Sequence, residues 1–290
     1  MSTLVENVQK VKNAHAALKT AIAAKGVDVP DGTKLTDMPA LVEQISTEPV
    51  PTNARACFAG DVAVSSLVVP KIMVVDMMAI DNLSYFFYSN NMTSLTLPEG
   101  FGKSTTTLKD CFNGCSHLTS LTLPAGFGQN ATRLDNALRA CYSLRHLELP
   151  AGFGQNATYL GACFFDNINL PSLELPAGFG QNATNIDHCF RFCRSLTSLT
   201  LPAGFGQNAT STTYCFDGCN ALETIIGNPN FKVSIDFKSC KKLTYDSLMV
   251  VINGLQTVTS TQTLTLGSTN LAKLTEADKQ IATDKGWTLA

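Results

Sequence analysis

Charge is scarce in this 290-residue chain: Asp, Glu, Lys and Arg make up 15% of it, with 21 basic residues against 23 acidic ones. A net charge of -2 without a Lys/Arg stripe removes the electrostatic basis for tight binding to a phosphate backbone, so no nucleic-acid partner is expected. Long hydrophobic runs are missing too. No apolar stretch approaches the roughly 18–20 residues of a bilayer span, so no membrane insertion is expected. Met1 to Lys10 lacks the basic start, apolar core and cleavage site of a secretory signal. The expectation is that the chain does not leave the cell by that route or that a leader has been removed. Association with a virion or cell surface by a non-classical route and a cytoplasmic location both remain open. The four histidines, His15, His117, His146 and His188, share no repeat position, and no H-E-x-x-H, G-x-S-x-G elbow or phosphate-cradling loop occurs. The expectation is therefore no enzyme, and no catalytic, cofactor or metal site.

Apolar residues are not scarce. They make up 44% of the chain, enough for a core, and they are arranged by a repeat. The phrase L-P-A-G-F-G-Q-N-A-T stands at Leu123–Thr132, Leu149–Thr158, Leu175–Thr184 and Leu201–Thr210, a period of 26 residues. Leu97–Thr106 is an imperfect copy in the same register. A period of 20–50 residues marks a solenoid, because one unit cannot bury its own apolar face and a stack can. In L-T-S-L-T-L-P, Leu118 to Pro124, the alternation puts Leu121 and Leu123 on one side and Ser120 and Thr122 on the other. That is a short half-buried strand, ended by a proline that cannot donate to the ladder. The rest of the unit supplies turn glycines, one Phe per coil for the interior, and Gln and Asn amides able to bond from coil to coil. About seven strands would make an array on the order of 34 Å long.

The repeats begin at Cys57; a two-residue insertion separates Pro70 from Pro98, and the last unit is shortened by five, Cys240 following Cys219 by 21 residues. Before them, Leu4, Val8, Val11, His15, Leu18 and Ile22 form a heptad seam, and Leu41, Val42 and Ile45 mark a second, short helix. Two readings of the seam stand: an antiparallel helix pair that caps the solenoid, or a homo-oligomer formed through the first helix. After the repeats the pattern predicts helices at Tyr245–Leu255 and Thr275–Lys285 and strands at Gln262–Leu266 and Trp287–Leu289.

The ten cysteines fall into two columns, Cys57, Cys111, Cys163, Cys189 and Cys215, then Cys115, Cys141, Cys193, Cys219 and Cys240, with Ala137, Asp61 and Asn167 in the gaps. A column that can lose a member to alanine is expected to hold core thiols acting singly, rather than inter-coil disulfides or metal ligands. N-A-T at Asn130, Asn156, Asn182 and Asn208 fits the glycosylation sequon and is read as turn chemistry. Polar slots vary between coils: Arg133, Tyr159, Asn185 and Ser211; Asn136, Ala162, His188 and Tyr214; and the outward strand positions. A rigid frame with substituted outward positions suits recognition, against neutral drift of solvated sites. The candidate binding residues are Ser120, Thr122, Arg145, His146, Glu148, Ser172, Glu174, Ser198 and Thr200, the charged spot being Arg145, His146, Glu148 and Glu174.

The unit C-F-N-G-C-S-H-L-T-S-L-T-L-P, Cys111 to Pro124, resembles the BspA-like class of bacterial leucine-rich repeats over roughly Cys57 to Leu243. That resemblance implies a curved solenoid used for adhesion or protein recognition. The N-terminal 46 residues and the segment from L-T-L-G-S to K-G-W-T-L are similar to pieces of gut-bacterial and phage tail-associated proteins. The expected fold is thus an α/β solenoid: a leucine-rich repeat array with parallel strands on its concave face, a helical N-terminal element and a helix-strand C-terminal cap. Its divisions are 1–48, a linker at 49–56, the solenoid at 57–243 and the cap at 244–290. The expected ligand is a protein or glycan; the alternative is an oligomeric component of a phage tail or surface fibre.

Overall fold

A computed structural model describes residues 81–290 and the strand Ser66–Val68; the N-terminal helices, the linker at 49–56, Cys57 and Asp61 lie outside the described residues. Seven short strands recur once per coil: β1 (Ser66–Val68), β2 (Ser94–Thr96), β3 (Ser120–Thr122), β4 (His146–Glu148), β5 (Ser172–Glu174), β6 (Ser198–Leu201) and β7 (Thr224–Gly227). Pairing is parallel and equivalent positions meet. Ser66 faces Ser94, a step of 28 residues that carries the insertion, whereas Ser120 faces His146 and Ser172 faces Ser198, steps of 26. The alternation holds: Leu121, Leu147, Leu173 and Leu199 are buried between solvent-facing neighbours.

The sheet is not continuous. Pairing is interrupted between β2 and β3 and between β4 and β5. At the second gap one tie is absent for a covalent reason. Just before each strand a backbone N–H reaches the equivalent carbonyl of the preceding coil: Arg145 to Thr119 at 2.9 Å, Thr197 to Pro171 at 2.8 Å and Glu223 to Thr197 at 3.0 Å. Pro171 holds that slot ahead of β5 and has no hydrogen to donate.

The interior is built from two columns of phenylalanine, where the sequence suggested one. Phe101, Phe127, Phe153, Phe179 and Phe205 stack at 6.0–6.4 Å with ring planes within 16° of parallel, and Phe231 ends the column edge-on. Beside them run Phe164, Phe190, Phe216 and Phe237 at 4.5–5.6 Å, with Leu138 and Phe112 in earlier coils. Each fully buried ring contributes roughly 2–3 kcal/mol by removal from water. The G-F-G of the repeat is set by this stack. Gly128, Gly154, Gly180 and Gly206 have φ of 65–80°, which a side chain rarely adopts. Each also lies against the next coil's phenylalanine: a Cβ on Gly154 would sit 2.7 Å from Phe179 Cδ2.

Cysteines and asparagines complete the coil-to-coil ties. All nine described cysteines are free and buried. Those of the second column donate from sulfur to a carbonyl one coil back: Cys115 to Phe87 at 3.1 Å, Cys193 to Phe164 at 3.1 Å and Cys219 to Phe190 at 3.0 Å. Burial pushes the Cys115 thiol up to about 12 and those of Cys111, Cys141, Cys163, Cys189, Cys193 and Cys215 upward as well, while a hydrogen bond with Cys240, and then burial, raise that of Cys219, so these eight are protonated and poor nucleophiles at neutral pH. Asn167 takes the same place through Nδ2, donating to Leu138 at 2.8 Å. In N-A-T the asparagines bridge coils, Asn156 to the Gln129 carbonyl at 2.9 Å and Asn182 to Gln155 at 2.9 Å, and Thr158 and Thr184 do likewise through their hydroxyls. The glutamines contribute main-chain carbonyls to these ties.

At the C-terminal end α1 (Tyr245–Asn253) lies against β7, and Ser247 Oγ both accepts from the Ile225 N–H and donates to the Glu223 carbonyl, each at 3.0 Å. A strand edge is thereby occupied. A second parallel sheet follows, β8 (Ile235–Asp236), β9 (Gln262–Thr265) and β10 (Trp287–Leu289), with β9 in the middle. Between its strands stand the short α2 (Gly267–Leu271) and α3 (Glu276–Asp284), the latter opened by a Thr275–Asp278 capping box. β8 and α2 were not expected from the sequence, being two and five residues long.

Gly154→Ala is expected to cost about 2–4 kcal/mol, from the left-handed backbone and the collision with Phe179 together. Gly152→Ala, at φ 80° but with no atom of the described residues nearer than 3.5 Å to the added carbon, should cost only about 1 kcal/mol. Denaturant unfolding of both variants measures this, and equal losses would remove the ring contact from the account.

Candidate recognition surfaces

The strand residues singled out in the sequence do lie on one solvent-facing surface. Ser120, Thr122, His146, Glu148, Ser172 and Glu174 are exposed, and Ser198 and Thr200 are half-buried. Ladder pairing sets Ser120 beside His146 and Thr122 beside Glu148, where the Thr122 hydroxyl donates to Glu148 at 3.0 Å. His146 Nε2 stands 3.2 Å from the other Glu148 oxygen, with both side chains more than half exposed, so the contact adds little to stability. Arg145 precedes the strand and is exposed. Ser172 and Glu174 pair forward, with Ser198 and Thr200, so the interruption before β5 divides the surface into two strips. Most of these side chains are small, and the face is shallow.

The opposite turns carry a denser constellation. Asn136, Ala162, His188 and Tyr214 occupy one recurrent left-handed position, φ 54–57°, and Ala140, Asp166 and Phe192 another, φ 56–63°. Around them rings and guanidinium groups alternate. Arg139 lies 4.7 Å from the Phe165 ring, Phe165 lies 5.7 Å from Phe192, and Arg191 lies 4.4 Å from Phe192 and 4.8 Å from Tyr214. His188 stacks on Tyr214 at 5.4 Å. Charges here are largely matched: Arg133 with Asp135 and Arg191 with Asp217, each at 3.0 Å, while Asp187 accepts from Ser211 and from the Thr213 N–H. The sequence marked Arg133, Tyr159, His188 and Tyr214 as variable slots. It missed Arg139, Phe165, Arg191, Phe192 and Arg194; the signal for Phe192 was a bulky residue where Gly114, Ala140 and Gly218 stand in other coils, and for Arg139, Phe165 and Arg191 one column that alternates Arg and Phe.

Next to Tyr214 an open groove of about 520 Å³ runs between the last full coil and the second sheet, lined by Thr210–Tyr214, Val233–Asp236, Gln262, Thr263 and Thr265. Among the described residues no cluster of His, Cys, Asp or Glu has the arrangement of a metal site, and no helix is long and apolar enough to cross a membrane.

His188 supplies a pH test of the ring cluster. Burial, and then Arg191, hold its imidazole below the ordinary value, against the opposing pull of Asp187 and Asp217, and its Nδ1 is buried without a hydrogen-bond partner. The unfolded chain therefore binds this proton more readily, so stability should fall as pH drops through the ordinary histidine value, about 6.5, and level off once the folded value is passed. His188→Asn, which suits the left-handed backbone, should flatten that part of a melting-temperature profile relative to the parent chain.

A model for the BspA type leucine-rich repeat region matches residues 82–179 and 132–261, with 6 copies. Among solved structures, a leucine-rich repeat protein from Bacteroides ovatus is 15% identical with a TM-score of 0.28; the alignment covers 78% of this chain and 61% of that one. The chain thus spans less than two thirds of that protein's length. No curated protein matches it. With the repeat model covering more than half of its residues, the chain belongs to the BspA-type leucine-rich repeat family.

Proposed function

We propose that this chain is a non-enzymatic recognition protein that binds a protein or glycan through the strand face of its repeats, taken as the concave face of the solenoid. The observation that carries this reading is the contrast within each coil. Positions that tie one coil to the next scarcely vary, while Ser120, His146, Ser172 and Ser198, at one outward slot, and Thr122, Glu148, Glu174 and Thr200, at the next, differ in size and charge on a fixed spacing. The buried, protonated thiols fit a role without catalysis.

Surface material from bacteria, passed over the immobilised chain, tests the assignment. Glu148→Lys, Glu174→Lys and His146→Glu together should abolish retention of whatever the parent chain holds and leave the melting temperature within a few degrees, as surface substitutions do. Unchanged retention would remove the strand face from the reading.

The structural alternative, an oligomeric tail or fibre component, rests on the heptad seam from Leu4 to Ile22, which lies outside the described residues. It expects light scattering to give a multimer for the whole chain and a monomer for a chain beginning at Asn53; two monomers would end it.

A further inference from the structure

The groove beside Tyr214 exists because the repeat fails there. In the preceding coils the left-handed slot runs Asn136, Ala162, His188, Tyr214, and His188 lies stacked beneath Tyr214. The next unit is five residues short, Phe237 stacking on Phe216 after 21 residues where a full coil takes 26. At the same step Tyr214 is followed by Ile235, which lies on β8 and not in a left-handed turn, and the side of the coil beside Tyr214 opens into the groove. Tyr214 is 52% exposed, with His188 stacked on its ring and the Arg191 guanidinium over the ring, 4.8 Å from its centroid, both supplied by the preceding coil. A ring that is fixed yet open has little rotamer freedom left to lose on binding.

The opposite wall is hydroxylic. Thr263 and Thr265 lie on β9, and neither hydroxyl makes a hydrogen bond within the described residues, while the Thr213 hydroxyl has only a long 3.4 Å contact with Ser211. The one carboxylate lining the groove, Asp236, is matched by Lys238 at 3.1 Å. A fixed aromatic face, free hydroxyls and no unmatched charge are complementary to a pyranose, whose C–H face packs on a ring while its rim exchanges hydrogen bonds. A polyanion finds no surplus of positive charge here.

We propose that this groove is a subsite for a neutral oligosaccharide, with Tyr214 as its stacking platform and Thr263 and Thr265 as its hydrogen-bonding wall. The site is separate from the strand face of the repeats, since none of the candidate residues from Ser120 to Thr200 lines it, and it stands or falls independently of that reading.

The test is calorimetric titration of the full chain with maltohexaose, xylohexaose, mannohexaose and chitohexaose. At least one should bind. Tyr214→Asn, which keeps a residue suited to the left-handed backbone, should weaken that binding about tenfold, the loss of one stacked ring. Thr263→Val with Thr265→Val should weaken it several-fold through lost hydrogen bonds, and Glu148→Lys with Glu174→Lys should leave it unchanged. Tyr214→Phe should bind like the parent. Failure of all four sugars to bind overturns the proposal, as does binding that survives Tyr214→Asn or is lost only with the strand-face changes. Melting curves of the variants confirm that each result is read on folded protein.

Discussion

The contact on which the stack depends is that between the second glycine of G-F-G in one coil and the phenylalanine of the next. Gly128 lies against Phe153, Gly154 against Phe179, and Gly180 against Phe205. Because the ring packs directly on the backbone, coil spacing and ring spacing are one quantity. The rings then stack within 16° of parallel from Phe101 to Phe205. A side chain on the glycine would have to displace a ring that is itself fixed by the next glycine, so strain at one coil would be passed along the column. That mutual dependence explains why L-P-A-G-F-G-Q-N-A-T returns almost unchanged while the residues between its copies do not.

The polar ties obey the same geometry. Thiol, amide and hydroxyl donors each reach a carbonyl one coil back, and where the cysteine column changes residue, Asn167 supplies the donor. The substitution has a cost in the same atom group, because Asn167 Oδ1 is left buried and unpartnered. A cysteine avoids this, since it offers one weak donor and no carbonyl that must be satisfied. At the C-terminal end a donor again comes from outside the repeat. Gln256 Nε2 bonds the Gln207 carbonyl at 3.0 Å, the acceptor that the next asparagine of the series would have used. Together with the Ser247 hydroxyl, which reaches β7 from α1, it completes ladders that would otherwise end in unpaired backbone groups.

Much of this was legible in the sequence because the repeat compares the chain with itself. Period, strand positions, the buried leucines and the starts of α1, α3 and β10 all follow from spacing and capping residues, while α1 ends at Asn253, two residues before the expected Leu255, because Gly254 caps it. The second phenylalanine column stood in the text as Phe112, Phe164, Phe190 and Phe216, but it was attached to the cysteine motif and not to a ring stack. β8 and α2 are too short to show a period. The tie missing before β5 turns on a single absent hydrogen at Pro171, a residue that reads as an ordinary substitution until the bonds of its neighbours are known. The strand-face residues were placed on the surface expected. The ring and guanidinium cluster was not anticipated, because Phe192 takes a left-handed backbone that sequence patterns assign to glycine, and Arg139, Phe165 and Arg191 pair with rings on neighbouring turns that a strand-based reading does not bring together.

That conformation decides where the fold can vary. A left-handed slot accepts a side chain when the coil beside it leaves room, and a bulky residue there constrains its neighbour. Phe192 lies over the Cα of Gly218, the equivalent position one coil on, so glycine at 218 is required by the phenylalanine at 192 as well as by its own φ of 76°. Variation on the turns is therefore coupled between adjacent coils, either as a ring against a glycine, Phe192 and Gly218, or as a ring on a ring, His188 and Tyr214. On the strands the outward side chains are free of this constraint, since each points away from the stack. The two surfaces differ in kind: the strand face can change one residue at a time, whereas turn residues rest on those of the adjacent coil and yield fixed, half-exposed rings such as Tyr214 where the series of coils comes to its end.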